Sequence, residues 1–375
     1  MRIVDAGVIT AGAPGTDRAV YTFPALLACR DGTLLLTCRR GSDKDCADEW
    51  VELYRSVNGG LSWTRMESEI PPARVGGATS SLRLVYLTEL EAGHLLAASM
   101  WIDRESHPGA PLFNPRTEGC LPMGIFLADS FDGGHSFSAW RPLDLPADIG
   151  PPSLTNPVIK LPDGALLLSV ETNKQYFDAS KWFQRVVALR SYDGGLSWDA
   201  PSDAGCDPSG RIFHWDQRVG LAADGGLVSF AWIYDTETGR YCNIRRRLSP
   251  DSGRTWTAAQ DIGIADQAGR PAMLPDGRVV LAWVDRFGSG SIRARLAAAA
   301  RADFDPGGEI VIYEQSEYTK QTSGTAATLD DMSIWTYGLP YAEALPDGDV
   351  MVVYYAGDGR AMDIHYARLS LDFSG

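Results

Sequence analysis

The sequence predicts an all-β protein that forms a single six-bladed β-propeller over residues 1–375, and three observations support this fold class. An eight-residue turn motif occurs four times, an Asp-Gly turn or a variant of it occurs six times, and helical periodicity is nearly absent. Copies of one small β unit arranged in a ring form a propeller. The alternative folds are an all-β sandwich and a right-handed β-helix.

The eight-residue motif has the pattern Ser-x-Asp-Gly-Gly-x-Ser-Trp, and each of its residues suits a tight β-hairpin. The Asp or Asn oxygen accepts backbone N–H groups across the turn, and glycine takes the positive φ. The Ser or Thr hydroxyl adds a local hydrogen bond, and the final aromatic ring covers the turn. Each motif therefore predicts the hairpin between the third and fourth strands of a unit. The copies are 56–63, 130–137, 191–198 and 249–256.

The Asp-Gly turns divide the chain into six units. An apolar run such as Leu166-Leu167-Leu168 follows each turn, and apolar runs bounded by glycine are typical of strands buried on both faces. Units five and six have no clear copy of the eight-residue motif, and we expect residues 1–9 to supply the outer strand of the last unit. The turns are 31–32, 92–93, 163–164, 224–225, 276–277 and 347–348.

The net charge of −14 and the sequence pI near 4.8 argue against nucleic acid and anionic membranes as partners. An acidic substrate is compatible with this charge, because distant charges are screened beyond roughly 8–10 Å. We therefore expect a small-molecule or glycan substrate. The sequence has no metal-ligand spacing and no glycine-rich phosphate loop, so no metal and no cofactor is expected.

The six cysteines show no close pairing, which favours free thiols, with a Cys29–Cys38 disulfide across a hairpin as the alternative. The N-terminus has no apolar stretch of signal-peptide length, and no run of 18 apolar residues occurs in the sequence. These features predict a cytoplasmic protein.

Charged and aromatic residues recur where the second strands end and where the inner strands begin, so we expect them to point into one axial funnel. Two carboxylates there, one with a raised pKa, would suffice for glycoside hydrolysis, and Trp or Tyr faces would stack on a sugar. The alternative for each residue is structural, as a loop charge, a buried ion pair or a core side chain. The candidates after second strands are Arg39, Arg40, Asp43, Trp101, Asp103, Arg104, Glu171, Lys174, Trp232 and Arg286, and those at inner-strand starts are Trp215, Asp216, Arg218, Arg270 and Tyr337.

The four turn motifs and six unit turns resemble those of the sialidase superfamily, whose six-bladed propellers carry such turns as Asp boxes. The resemblance covers essentially the whole chain. It implies a site in which three arginines hold a substrate carboxylate, a Tyr activated by a Glu attacks the anomeric carbon, and an Asp is the acid/base. On this sequence it implies Tyr337 as nucleophile, with Tyr341 as second choice, Asp216 as its base and Asp43 as acid/base.

The sequence departs from the family pattern at three positions. Thr22 stands in Tyr21-Thr22-Phe23-Pro24 where the family has its first arginine, Trp232 falls where another arginine is usual, and Tyr355 replaces a Glu. Thr cannot provide the bidentate, permanently charged contact of an arginine. The best remaining candidates for a carboxylate clamp are Arg40, Arg218 and Arg270.

The first functional hypothesis is therefore a sialidase-like exo-glycosidase that acts on a terminal acidic sugar. The first alternative is a hydrolase or lyase of the same fold for a non-sialic sugar, in which Asp216, Glu171 and Asp43 share the acid/base work. The second alternative is a non-catalytic propeller that binds glycan or protein.

Overall fold

The computed structural model describes residues 1–315, 329, 332, 334 and 335–371. Within these residues the chain is almost entirely β, with two short 3-10 helices at Ala147–Ile149 and Pro306–Gly308 and a helical conformation at Leu329, Met332 and Ile334. In chain order the strands are β1 (Arg2–Thr10), β2 (Val20–Ala28), β3 (Leu34–Gly41), β4 (Trp50–Ser56), β5 (Thr64–Arg65), β6 (Arg74–Val75), β7 (Ala78–Glu91), β8 (His94–Asp103), β9 (Met123–Ser130), β10 (Arg141–Pro142), β11 (Ser153–Leu154), β12 (Ile159–Lys160), β13 (Leu166–Glu171), β14 (Arg185–Ser191), β15 (Ser202–Cys206), β16 (Ile212–Leu221), β17 (Leu227–Asp235), β18 (Arg240–Ser249), β19 (Gln260–Ala265), β20 (Gln267–Ala268), β21 (Ala272–Met273), β22 (Val279–Asp285), β23 (Ser291–Ala297), β24 (Ile310–Glu314), β25 (Tyr337–Ala344), β26 (Val350–Gly357) and β27 (Met362–Ser370).

The described strands form five hydrogen-bonded sheets. Four of them are local in sequence and contain β6–β10, β11–β15, β16–β19 and β20–β24. The fifth sheet has eight strands in two antiparallel halves, β2–β5 and β25–β27 with β1, and a single parallel bridge between Val20 and Met362 joins the halves. The N-terminal strand β1 pairs antiparallel with β27, so it is the outer strand of the C-terminal half.

Neighbouring sheets contact each other in a closed circle. Contacts join β2 to β7, β7 to β12, β13 to β16, β16 to β20, β20 to β25, and β25 back to β2. The inner strands of successive sheets therefore surround a common axis. This is a propeller-like arrangement, as the repeated turns predict.

The four turn motifs follow β4, β9, β14 and β18, and each motif connects one of these strands to the outermost strand that follows it, β5, β10, β15 or β19. In the motif at 191–198, the Asp193 Oδ1 accepts the backbone N–H of Ser197 at 2.9 Å, and the Gly195 N–H donates to the Ser191 Oγ at 2.8 Å. The other three motifs make the equivalent bonds. The glycine of each of the six unit turns has a positive φ between 77° and 93°.

The second strands of the sheets are buried on both faces, as their apolar runs predict. Leu36, Leu96, Leu168 and Val353 each have no exposed surface and belong to one apolar cluster that spans several sheets. Because these strands are fixed by packing on either side, the loops at their ends are held in place around the axis. All six cysteines are free, which excludes the Cys29–Cys38 disulfide. In the described part of the chain, no helix is both long and apolar enough to span a membrane.

Candidate active site

Four inner strands carry an irregularity in their pairing. The register shifts between Thr22 and Ala25 in β2, between Leu82 and Leu84 in β7, between Trp215 and Arg218 in β16, and between Gly338 and Tyr341 in β25. A bulge adds a residue to one strand and redirects its side chain. The residues inside these irregularities include Phe23, Arg83, Asp216 and Leu339, and all four line one cavity.

Three of these redirected residues have left-handed backbone conformations. Phe23, Asp216 and Leu339 have φ values of 50°, 47° and 48°. A residue with a Cβ adopts this region at a cost of roughly 1–3 kcal/mol, and such residues concentrate at functional sites. All three residues line the same cavity, which makes this cavity the candidate functional site.

The cavity has a volume of ≈ 270 Å³, close to the lower end of the usual range for small-ligand sites. Its walls combine a few polar groups with many apolar and aromatic side chains. The polar or charged residues that line it include Thr22, Lys44, Asp45, Arg83, Tyr86, Asn114, Thr155, Glu171, Asp216, Arg218, Gln267 and Tyr355, and the apolar ones include Phe23, Met100, Leu112, Phe113, Leu154, Trp182, Trp215, Trp335 and Leu339.

Two carboxyl groups, Glu171 at the end of β13 and Asp216 in β16, lie beside each other in this cavity. Burial and the nearby Asp216 charge raise the pKa of Glu171 to about 8. The Glu171 Oε1 accepts the Gln217 backbone N–H at 3.1 Å. The Asp216 Oδ1 instead accepts Arg218 Nη2 at 3.3 Å, and its Oδ2 accepts the side-chain amide of Gln267. At neutral pH the pair therefore combines a protonated Glu171 with an Asp216 that is paired to a cation.

The loop after β3 brings a third carboxylate, Asp45, to the cavity. Asp45 accepts hydrogen bonds from the Arg104 guanidinium and, at 2.9 Å, from the Leu112 backbone N–H. The acid/base prediction favoured Asp43, and the structure corrects this placement. Asp43 is exposed outside the cavity, and its Oδ1 accepts the Lys44 backbone N–H. Residues two apart in an irregular loop can point in different directions. The contacts with Arg104 and Leu112 hold the Asp45 carboxylate at the cavity.

Two of the predicted cations, Arg39 and Arg104, belong to a buried ion cluster centred on Glu49. Glu49 accepts Arg39 Nε and Arg83 Nη1, each at 2.7 Å, and has no exposed side-chain surface. Burial alone would raise its pKa, but Arg83, Arg39 and Arg104 overcome this effect and lower the pKa to about 2. Arg39 is thus a structural partner that does not line the cavity, whereas Arg83 lines it.

Lys44 and Tyr355 form a second polar wall. The Lys44 Nζ donates to the carbonyl oxygens of Met332 and Trp335, both at 2.6 Å, and to the Tyr355 Oη at 3.3 Å. Burial and the charges of Arg286 and Arg83 hold the pKa of Lys44 well below its usual range. Burial raises the pKa of Tyr355 to about 12.

Gly338 makes room for the Tyr355 hydroxyl. A Cβ at this position would lie 3.1 Å from the Tyr355 Oη and 3.0 Å from the Arg286 Nη2. The hydroxyl of Tyr355 therefore occupies the space that a side chain at position 338 would need.

The predicted nucleophile Tyr337 does not reach the cavity. It is 1% exposed, and its ring lies 5.5 Å from that of Tyr313 and 5.0 Å from the Arg286 guanidinium. Side chains alternate along a strand, and Tyr337 faces the packing between β25 and the neighbouring sheet. The second choice, Tyr341, stacks on Tyr86 with ring centroids 6.4 Å apart and lines a different cavity.

Some of the remaining predicted residues line the cavity, and the others do not. Trp215 and Arg218 line the cavity together with Glu171 and Asp216. The others do not line it and have structural contacts. Arg40 pairs with Asp17, Arg270 pairs with Glu343, Trp101 packs against Trp50 and Trp140, Asp103 accepts the Ser106 N–H, Lys174 donates to the Ser180 carbonyl, Trp232 stacks on Tyr241, and Arg286 lies over the Trp335 ring.

Sequence reasoning missed Arg83, Lys44 and Gln267. A simple spacing would have found two of them. Residues nine or ten positions before each unit-turn glycine line the cavity in all six units. Arg83 lies ten positions before Gly93, and Gln267 lies ten positions before Gly277. Asp216, which was predicted, lies nine positions before Gly225. Lys44 has no such signal, because it belongs to the loop after β3.

Comparison with known proteins supports the fold. No protein-family model matches this sequence, and no curated protein matches it. Among solved structures, a Dyadobacter fermentans protein of unknown function is 22% identical, with 99% of each chain covered and a TM-score of 0.73. An intramolecular trans-sialidase from Ruminococcus gnavus is 12% identical, with 99% of this chain and 98% of that chain covered and a TM-score of 0.64. A Penicillium chrysogenum alpha-L-arabinanase is 15% identical, with 98% of each chain covered and a TM-score of 0.63.

These similarities extend over nearly the whole chain and show that it has the sialidase-like β-propeller fold. At these identities they show the fold alone. The chemistry of this chain depends on the residues that line its cavity.

Proposed function

We propose that this protein is a glycoside hydrolase that acts on a terminal sugar without a carboxylate group. We count each half of the eight-stranded sheet as one blade, so that the five sheets form six blades. We propose that the substrate binds in the axial cavity. The observation that carries it is the Glu171–Asp216 pair: burial and the nearby Asp216 raise the pKa of Glu171, and Asp216 is paired with Arg218.

The pair provides both parts of glycoside cleavage. Glu171 holds a proton at neutral pH and donates it to the glycosidic oxygen as the bond between that oxygen and the anomeric carbon breaks. Asp216, which Arg218 and Gln267 hold in place, supplies the negative charge that stabilises the oxocarbenium-like transition state. Water then adds its hydroxyl group to the anomeric carbon, and its remaining proton returns to the Glu171 carboxylate.

The aromatic and apolar walls complete the binding site. Trp215, Trp182 and Phe113 offer flat faces for the C–H groups of a sugar ring. Asp45 accepts hydrogen bonds, and Tyr355 presents a protonated hydroxyl because its pKa lies far above neutrality. These groups fit a polyhydroxylated ligand with one apolar face.

The charges in the cavity favour a neutral sugar over an acidic one. Arg218 is paired with Asp216, and Arg83 is paired with Glu49. Lys44 donates to two carbonyl oxygens, and burial favours its uncharged form. The other predicted clamp residues, Arg40 and Arg270, do not line the cavity. Among the described lining residues, each cation therefore already has a partner within the protein.

The fold comparisons support the same class. The Ruminococcus gnavus structure is a trans-sialidase with oseltamivir carboxylate, and the Penicillium chrysogenum structure is an arabinanase with arabinobiose. The fold thus carries glycosidases for both acidic and neutral sugars. The paired arginines are the reason to propose a neutral sugar for this chain.

A panel of 4-nitrophenyl glycosides tests the proposal, with neutral pyranosides and furanosides, including α-L-arabinofuranoside, beside sialosides and uronides. We expect turnover of a neutral glycoside and a loss of at least about 100-fold in Asp216→Asn. Glu171→Gln should lose as much on the matching alkyl glycoside, whose alcohol cannot leave without a proton. The matched control is Asp43→Asn, which removes an exposed carboxylate near the cavity and should retain activity.

Turnover that survives both cavity substitutions would contradict the role assignments. Turnover of sialosides or uronides alone would contradict the neutral substrate. Binding of a glycan without turnover would instead support the non-catalytic propeller.

A further inference from the structure

We infer that Tyr176 and Phe177, at the mouth of the cavity, form a second sugar-binding subsite for the leaving-group side of an oligosaccharide. The inference rests on the proposed function and deepens it. It assigns the protein an oligosaccharide substrate that is longer than the sugar inside the cavity.

The two aromatic residues lie next to the rim of the cavity. Pro111 and Pro115 are exposed and also line the cavity, so the loop between them forms part of its rim. Asn114 lines the cavity, and its Nδ2 donates to the Tyr176 carbonyl oxygen at 2.9 Å. Tyr176 and Phe177 therefore follow directly on from the rim.

A second link fixes this segment against the rim loop. Cys120 forms a β-bridge with Gln175, and the Thr117 Oγ1 donates to the Tyr176 carbonyl oxygen at 2.6 Å. Asn173, two residues before Gln175, lines the cavity. The backbone that presents the aromatic pair is thus fixed by several contacts with the rim loop, as a preformed subsite requires.

The rings of Tyr176, Phe177 and His107 form an exposed aromatic cluster. Phe177 is 71% exposed, although its ring meets Tyr176 edge to face with centroids 5.1 Å apart. His107 approaches the same pair, with its ring centroid 5.8 Å from that of Tyr176. A single exposed apolar side chain needs no explanation, but a cluster of three ring side chains beside a ligand cavity matches a recognition surface.

The occupant follows from the shape of the cavity. A cavity of ≈ 270 Å³ holds a terminal sugar, and the rest of a longer chain has to leave through the mouth. The part of the oligosaccharide outside the cavity is the leaving group of the hydrolysis. Its first sugar then passes the exposed face of Phe177, where C–H groups of the sugar can stack on the ring.

The test compares two substrates of the sugar that the glycoside panel identifies. One is its linear trisaccharide, and the other is its glycosyl fluoride, whose leaving group is a single atom and cannot reach the rim. Phe177→Ala is expected to lower kcat/KM about tenfold on the trisaccharide and to leave it unchanged on the fluoride. The matched control is Phe131→Ala, which removes a phenyl ring of similar exposure (74%) from a turn motif.

Equal kcat/KM of Phe177→Ala and wild type on the trisaccharide would overturn the inference while leaving the proposed hydrolase intact. Loss on both substrates would also overturn it, because the ring would then matter for the cavity itself. If a wild-type dimer dissociates on Phe177→Ala in sedimentation, the ring belongs to an interface between copies. No turnover of either substrate by wild type would defeat the proposed function, and the subsite with it.

Discussion

Glu171 gives the protein a measurable dependence of stability on pH. Its pKa is about 8 in the folded protein and 4.5 as an ordinary carboxyl group. Between these values the folded state holds a proton that the unfolded state has lost. Raising the pH across this interval therefore weakens folding, and the loss is complete above the folded pKa.

The magnitude follows from the size of the shift. Each pH unit corresponds to about 1.4 kcal/mol, so the shift of Glu171 costs about 5 kcal/mol of unfolding free energy between pH 4.5 and pH 8. Glu171→Gln keeps the side-chain shape and the oxygen that accepts the Gln217 N–H, but it has no charge to bury. The variant should match wild type near pH 4.5 and become more stable than wild type as the pH rises.

Urea unfolding of both proteins between pH 5 and pH 8.5 measures the effect. The difference in unfolding free energy, variant minus wild type, is expected to rise by about 1.4 kcal/mol per pH unit up to pH 8. Glu314→Gln, at an exposed carboxylate at the end of β24, is the control and should show a flat difference. A flat difference for Glu171→Gln would refute the raised pKa and, with it, the assignment of Glu171 as a proton donor at neutral pH.

Three further substitutions test other parts of the site. Asp216→Asn should move the alkaline limb of the residual activity below pH 8, since the charge that helps to raise the Glu171 pKa is gone; a pH profile of kcat/KM measures this, and an unmoved limb would contradict the coupling. Gly338→Ala should destabilise the protein by roughly 1–3 kcal/mol in urea unfolding, because its Cβ would crowd the Tyr355 hydroxyl; unchanged stability would contradict the close approach. Tyr337→Phe should leave kcat/KM nearly unchanged, because Tyr337 lies outside the cavity, whereas a large loss would restore Tyr337 as the nucleophile.

Much of the fold was predictable because its signals are local. A turn motif such as 191–198 contains its own donors and acceptors, so the hairpin follows from eight consecutive residues. The apolar runs after the unit turns likewise require burial on both faces, wherever their neighbours come from. Repetition then made the ring arrangement the natural interpretation.

The site was predictable in part, for a physical reason. Glu171 ends β13 and Asp216 lies on an inner strand, β16, and the position of both strands relative to the axis follows from the repeat. The side-chain direction of Tyr337 depends on a bulge in β25, and a bulge of one residue reverses which side faces the axis. The choice of Asp45 over Asp43 depends on Arg104, which is distant in sequence. Such long-range contacts leave no signal in a single sequence.

The dependence on the leaving group tests the central claim most directly. Glu171→Gln should lose activity on glycosides with a poor leaving group, because no proton reaches the departing oxygen, and should retain most of it on 2,4-dinitrophenyl glycosides, whose phenolate leaves without a proton. Equal losses on both kinds of substrate, or none on either, would contradict Glu171 as the general acid of this cavity.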